Sequence, residues 1–266
     1  MDKVRSTIKQ FVRDWSSEGA EERERCYKFI IDEICTRLPL QAQQADNQQQ
    51  QKQVIKVLTP GAGLGRLSWE LAKRGYASQG NEHSFFMLIA SNFILNRIYT
   101  KEQFTIYPFI HQRSNIVARR DQLRPIKIPD VLPSELPQDA DFSMVAGDFS
   151  EVYNAQPNTW DCVATCFFID TAKNVFEYIA TINKCLKMGG LWVNYGPLLY
   201  HWAEMDGEFS IELSYDELRE VILKMGFEIV SESLKNCTYT GNSKSMLQIV
   251  YKCISFTAIK KSEVSL

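Results

Sequence analysis

The segment Thr59-Pro60-Gly61-Ala62-Gly63-Leu64-Gly65-Arg66 is where this sequence writes chemistry most densely. Glycines are needed where a turn takes positive φ and where backbone must lie against a ligand with no Cβ between them. A helix starting straight after such a turn offers free N–H groups to an anion. The pattern is G-x-G-x-G. A dinucleotide fingerprint would place its third glycine at position 66, where Arg66 stands, and a P-loop would continue with Gly-Lys-Ser/Thr. Both ligand types are therefore disfavoured. Glu82 follows Gly65 by 17 positions. A carboxylate at the end of the second strand of such a unit can accept both hydroxyls of a ribose. Asp148, in Ala146-Gly147-Asp148-Phe149, is a second acid at a strand end.

The elements that must position these residues can be read from apolar periodicity. Val4 to Leu38 has helical spacing broken at Ser16-Ser17-Glu18-Gly19, which predicts two helices. The polar tract from Gln41 to Gln53 predicts a surface loop. From Val54 the pattern becomes strand, glycine turn, helix. A strand is expected over Ala77–Gly80, ending in Asn81-Glu82. An apolar helix is expected over Ser84–Arg97, then a proline-bearing insertion over 100–140 of the kind that forms lids or binding loops. Further strands are expected at Asp141–Gly147, Trp160–Phe168, Leu191–Tyr195, Phe227–Ser231 and Gln248–Ala258. Helices are expected at Asn174–Leu186 and Ser214–Met225, with a turn at Lys187–Gly190. Ser214 and Glu217 have capping-box spacing. Strands alternating with helices predict a doubly wound, mostly parallel sheet. The chain divides into a helical cover with a glutamine-rich loop (1–53) and an α/β domain (54–266).

Composition narrows the partners. The chain has 266 residues with a formal charge of −2, which excludes binding nucleic acid or membrane through bulk electrostatics. No stretch is long and apolar enough to span a bilayer, and the first ten residues hold no signal-peptide core. The seven cysteines show no C-x-x-C spacing, so no metal site is expected, and most read as buried free thiols of an intracellular protein. Of the three histidines, His83 and His111 read as structural or surface residues.

The G-x-G-x-G turn resembles the S-adenosylmethionine turn of class I methyltransferases. Longer strings resemble one family more specifically: TPGAGLGRLSWELAKRGY, GNEHSFFMLIASNFILNR, FSMVAGDF, TWDCVATCFFIDTAKNV, GGLWVNYGPLLYHW and IELSYDELREVILKMGF. Together they look like the carnosine N-methyltransferase family, over essentially the whole chain. The resemblance implies a Rossmann-like class I fold, with a mostly parallel seven-stranded sheet, helices on both faces and added N-terminal helices. It implies transfer of a methyl group from S-adenosylmethionine to the imidazole π-nitrogen of carnosine (β-alanyl-histidine), giving anserine and S-adenosylhomocysteine without a metal. By motif, Gln10, Arg13, Gly61, Gly63, Glu82, Asp148, Phe149 and Cys166 would hold the methyl donor. Gln10 and Arg13 would cover its methionine end, Glu82 its ribose, and Asp148 and Phe149 its adenine. Asp170, His201 and Tyr251 would hold the dipeptide, with Tyr200 or Tyr239 as substitutes for Tyr251. Asp170 would be the catalytic carboxylate that orients the imidazole. The arginines of the insertion, Arg113, Arg119, Arg120 and Arg124, read as a solvated face, with a contact to the substrate carboxylate as the other reading.

The chain departs from the family pattern at His83, where tryptophan is expected, and at Met188, where proline is common. The segment expected before the VRST helix is also short. A cytosolic location is expected; the nucleus and a homodimer are left open. The residues leave two other functions standing: methylation of other histidine peptides or of protein histidine, and a cofactor-binding scaffold without activity.

Overall fold

The computed structural model describes residues 1–40 and 54–264. The glutamine-rich loop expected over 41–53 lies outside them. Helices α1 (Asp2–Trp15) and α2 (Ala20–Arg37) form an antiparallel cover. The α/β part then runs β1 (Lys56–Pro60), α3 (Arg66–Lys73), β2 (Ala77–Glu82) and α4 (Phe85–Asn96). The insertion holds β3 (Phe104–Ile106), α5 (Arg119–Gln122) and β4 (Ile126–Ile128). The chain continues with β5 (Phe142–Ala146), α6 (Phe149–Tyr153), β6 (Trp160–Cys166), α7 (Val175–Cys185), β7 (Leu186–Gly196), α8 (Tyr215–Lys224), β8 (Phe227–Cys237) and β9 (Tyr251–Lys260).

Seven strands form one sheet in the order β5-β2-β1-β6-β7-β9-β8. Strands β5, β2, β1, β6 and β7 are parallel; β9 and β8 add antiparallel at one edge. The connections run outward on both sides of the β1–β6 pair. Their carboxyl ends are thus a topological switch point, where open α/β sheets bind ligands. The nearly continuous apolar runs of β1 and β6 fit strands covered on both faces. One face buries Trp192 and Phe256 with Ile179 of α7; the other packs Val193 and Tyr195 with Ile30 and Ile34 of α2 and Leu67 and Leu71 of α3.

Several sequence expectations shift in the structure. The turn expected at Lys187–Gly190 is a bulge inside β7: pairing jumps from Trp160↔Leu186 to Cys162↔Leu191, with Gly189 at φ +77°. Strand β6 stops at Cys166 because Phe167 takes φ +53°. Strand β8 extends to Cys237, and the last strand starts at Tyr251 rather than Gln248. The insertion is not irregular throughout, since β3 and β4 pair as a two-stranded ribbon. The capping box at Ser214 is formed as its spacing suggests. Arg124 does not lie on a free solvated face: it pairs with Glu18 and donates to Asn242 Oδ1 at 2.8 Å.

Two buried contacts seat the helical cover. The Trp15 indole, fully buried, donates to Leu64 O at 3.1 Å and meets Trp69 edge-on at 5.8 Å. Asp130 of the insertion takes Arg23 of α2 at 2.5 Å and Arg66 of α3 at 2.8 Å. Arg66 also donates to Asp14 O at 2.7 Å and lies 5.0 Å over the Trp15 ring. The residue that breaks the dinucleotide fingerprint is thus the tie between turn helix, cover and insertion. Removing one partner from such a buried charge cluster leaves the others uncompensated. Asp130→Ala is expected to lower stability by about 3–5 kcal/mol, read as a fall in urea midpoint at unchanged slope; a loss under about 1 kcal/mol would refute this role.

Candidate functional site

A cleft of about 830 Å³ opens at the carboxyl ends of β1, β2 and β6. Its volume is in the range of sites that bury small organic ligands. Its floor is the glycine turn. Gly61, Gly63 and Gly65 all have positive φ (64°, 57° and 81°). A Cβ on Gly61 would stand 2.6 Å from Phe168 Cδ2. Backbone therefore reaches the cleft where no larger residue fits.

Glu82 ends β2 and locks this turn. Its Oε2 accepts from Gly63 N at 2.9 Å, and its Oε1 accepts from His83 N at 2.9 Å and Ser84 N at 2.8 Å. Burial pushes its carboxyl above the usual carboxylate range, although the three N–H groups pull the other way. Asp148 caps α6, its Oδ1 accepting from Ser150 N at 2.9 Å and Glu151 N at 3.2 Å. That leaves its Oδ2 without a partner among the described residues. Phe149 is 2% exposed, wedged edge-on against Phe168 and Tyr178. Its ring is a fixed wall of the cleft rather than a loose flap.

The opposite wall comes from the cover. Gln10 Nε2 donates to Asp14 Oδ2 at 2.9 Å. Arg13, 4% exposed, donates through Nη1 to Asp14 Oδ1 at 3.1 Å and Tyr27 Oη at 2.7 Å. Its Nε lies 2.8 Å from the Glu22 carboxylate as an ion pair without hydrogen-bond geometry, and among the described residues Nη2 meets only the sulfurs of Cys26 (3.5 Å) and Cys166 (3.6 Å). Burial opposes the charge, but Tyr27, Cys26 and Asp14 outweigh it and hold the guanidinium pKa raised. Burial pushes the Cys166 thiol up.

Gln10, Arg13, Gly61, Gly63, Glu82, Asp148, Phe149 and Cys166 thus share one cleft. The substrate trio is divided. His201 lines the cleft; its backbone N donates to Asp170 O at 2.9 Å, and burial lowers its imidazole pKa. Asp170 stands one layer behind, 3% exposed, its Oδ2 accepting from Leu199 N at 3.1 Å. Burial raises its carboxyl to about 7. Tyr251 starts β9 outside the lining, edge-on to Phe167 at 6.0 Å. Of its two substitutes, Tyr239 lines the cleft, whereas Tyr200 is buried and donates to Leu213 O at 2.9 Å. None of the four insertion arginines lines it.

Sequence reasoning missed Asp14, Glu22 and Tyr27. Asp14 carried a signal, the i,i+4 spacing from Gln10 on a predicted helix; Glu22 and Tyr27 depend on tertiary contact. The donor set fits a nucleoside joined to a small zwitterion. Two acids line one side, a guanidinium the other, and the buried hydroxyls of Thr59 and Ser150 on the lining have no hydrogen-bond partner among the described residues. Among the described residues no cluster of three histidine, cysteine or acidic side chains could hold a metal ion, and no helix is long and apolar enough to cross a membrane.

Comparison with known proteins follows the same lines. A family model described as carnosine N-methyltransferase matches residues 1–262. The chain is 52% identical over 262 residues to the carnosine N-methyltransferase of Rattus norvegicus, covering 98% of this chain and 63% of that protein. Identity to the Dictyostelium discoideum protein of that name is 47%, covering 97% and 55%. To that of Schizosaccharomyces pombe it is 45%, covering 94% and 69%. The chain therefore spans just over half to about two thirds of the length of these relatives. Among solved structures, a putative methyltransferase of Haloferax volcanii in complex with the Trm112 activator superposes with a TM-score of 0.56 at 13% identity, covering 97% of this chain and 96% of that one. Magnesium protoporphyrin IX methyltransferase of Synechocystis, solved with bound SAH, gives 0.51 at 12% identity, covering 89% and 82%. These two show the class I methyltransferase fold.

The raised Asp170 carboxyl gives a stability signature. Its ordinary value is 3.8 and the folded value is about 7. The folded state therefore holds a proton that the unfolded chain releases near 4. The stability linked to that proton is full below the unfolded value and is lost as pH rises through about 7. Asp170→Asn is expected to flatten the fall in urea midpoint between pH 4 and 8. An unaltered pH dependence in that variant would show that Asp170 does not titrate in this window.

Proposed function

This chain belongs to the carnosine N-methyltransferase family, and from that premise we propose that it transfers a methyl group from S-adenosylmethionine to the π-nitrogen of the imidazole of carnosine, giving anserine. The observation that carries this conclusion is the single cleft in which the glycine turn, Glu82 and Asp148 stand on one side, Gln10, Arg13 and Cys166 on the other, and His201 next to the buried Asp170 at the far end. Glu82 accepts the ribose hydroxyls through lone pairs left by its backbone donors. Asp148 Oδ2 accepts from the adenine amino group, and Phe149 walls the ring. Arg13 Nη2, whose present partners are only weak sulfur acceptors, receives the methionine carboxylate. S-adenosylmethionine, when bound, supplies an electrophilic methyl group on its sulfonium.

What remains for the protein is to present one imidazole lone pair to that methyl. A neutral imidazole has one N–H and one lone-pair nitrogen, and at a pKa of about 6.5 it is largely neutral at physiological pH. A carboxylate that accepts the τ N–H makes the π-nitrogen the nucleophile, the orienting logic of carboxylate and imidazole in hydrolase triads. Asp170 is the carboxylate at the strand end beside His201. To reach the ring it must exchange its Leu199 N–H for the substrate's, a local shift of the 197–201 segment. Once ionised it also stabilises the imidazolium as it forms. Fixing the near-attack geometry can supply about 7–11 kcal/mol of the barrier. His201, held neutral by its lowered pKa, and a tyrosine from the β8–β9 side complete the contacts to the dipeptide. The seven free thiols fit a reducing compartment, in agreement with a cytosolic or nuclear location.

Incubation with labelled S-adenosylmethionine and a panel of carnosine, homocarnosine, Gly-His and bulk protein is expected to label the β-alanyl dipeptide first. Label confined to protein would replace the dipeptide by protein histidine as substrate. Because both Asp170 and the imidazole must be deprotonated, kcat/KM should rise with pH and level off above about 7. A rate that falls across that range would remove Asp170 as the acceptor of the ring proton. Glu82→Ala should weaken S-adenosylhomocysteine binding by at least tenfold, the scale of about one lost charge-assisted hydrogen bond. Calorimetry giving unchanged affinity would refute the ribose contact.

A further inference from the structure

Glu22 belongs to none of the motifs above and does not line the cleft, yet it joins two groups that do. Its carboxylate, on the first turn of α2, has a side chain 10% exposed. Oε1 pairs with Arg13 Nε at 2.8 Å and accepts from Thr240 N at 3.0 Å. Oε2 accepts from Thr238 Oγ1 at 3.1 Å and Gly241 N at 3.4 Å. Between those anchors lies Tyr239. Its ring caps the Arg13 guanidinium at 4.9 Å from the centroid and lies against Phe167 at 4.6 Å. Its hydroxyl is 3.3 Å from Gln10 Oε1.

A guanidinium is planar, so fixing Nε and Nη1 fixes the direction of Nη2. Asp14 and Tyr27 hold Nη1 by hydrogen bonds, and Glu22 stands 2.8 Å from Nε as its charge partner without taking the Nε–H in a hydrogen bond, which leaves Nη2 turned to Cys166 and the cleft. Without Glu22 the guanidinium would keep its Nη1 hydrogen bonds but lose the carboxylate beside Nε. The loop from 238 to 241 would also lose three of its hydrogen bonds to α2, and with them the place of the Tyr239 ring. A buried carboxylate is costly, and burial raises its pKa despite Arg13. The cost is offset because one group serves both partners.

We infer that Glu22 is a positioning residue for the methyl donor's amino-acid end: it sets Arg13 and Tyr239 as one unit, so that the donor carboxylate meets a fixed guanidinium edge beneath a closed β8–β9 loop. This rests on the methyl-donor reading above and adds to it the residue through which donor binding depends on the loop between β8 and β9.

Calorimetric titration of the full chain with S-adenosylhomocysteine tests it without recourse to turnover. Glu22→Gln keeps the size but places an amide against the N–H groups of residues 240 and 241. It should raise Kd by about tenfold, while Arg13→Met raises it at least as far. The combination should match Arg13→Met alone to within about twofold, since residues acting as one unit are non-additive. Full additivity, or an unchanged Kd in a folded Glu22→Gln protein, would overturn the role. If Glu22→Gln does not fold, Thr238→Val removes one Glu22 contact from the half-buried loop. A rise of about threefold is then expected, and no change would equally overturn it. Wild-type protein that binds neither S-adenosylhomocysteine nor S-adenosylmethionine would instead overturn the methyl-donor reading itself, and with it this role.

Discussion

The burial of Arg13 is the constraint from which most of the site follows. A guanidinium that is 4% exposed on the inner face of α1 must be compensated, and the chain meets the demand with Asp14 from the same helix and Tyr27 and Glu22 from α2. Those partners dictate that the two N-terminal helices fold back on one another. They also dictate that the pair lies across the strand ends, because Nη2 must come to rest beside Cys166 at the end of β6. The rings of Tyr27 and Tyr239 lie 4.8 and 4.9 Å from the charge and shield it from water. What would be a loose helical extension on an ordinary α/β unit is thereby made one wall of the cleft.

The other wall is held by a separate device. Glu82 draws the N–H of Gly63 toward β2, so the glycine turn is braced by a carboxylate that itself lines the cleft. Arg66 and Asp130 then tie the helix after the turn to the cover and to the insertion. The insertion, which looks from its prolines like a lid, serves in this structure as a clamp. Its Arg124 reaches Glu18 and Asn242 and so draws the α1–α2 turn, the insertion and the β8–β9 loop together. Enclosure matters to the proposed chemistry, because the field of a carboxylate on a developing imidazolium would be stronger where water is excluded.

Much of this was legible in the residues. The β1–turn–α3 unit announced itself through Val54–Leu58 and the glycines, and Ser214 with Glu217 marked a helix start that formed as expected. The residues expected to hold the methyl donor share one cleft because they sit at strand ends or on one helix face, positions that local pattern can locate. What could not be read depended on contacts between distant segments. Arg66 was visible only as a missing glycine, since Asp130 lies 64 positions away. Glu22 and Tyr239 are brought together by a loop whose ends were misplaced, because β8 and β9 run longer and later than their apolar patterns suggest. The bulge at Gly189 looked like a turn for the same reason: local signals report backbone bending but not whether the strand resumes its pairing. The dipeptide itself was never in the periodicity; it entered through family resemblance.

The account therefore turns on how one imidazole is presented. In the proposed reaction Asp170 would take the τ N–H and leave the π-nitrogen facing the donor, so position of methylation reports that geometry more directly than rate does. The deciding measurement is a proton–carbon NMR analysis of the product formed from carnosine and methyl-labelled S-adenosylmethionine. The account predicts a single product carrying the label on the π-nitrogen. A τ-methylated product, or a mixture of the two, would contradict it.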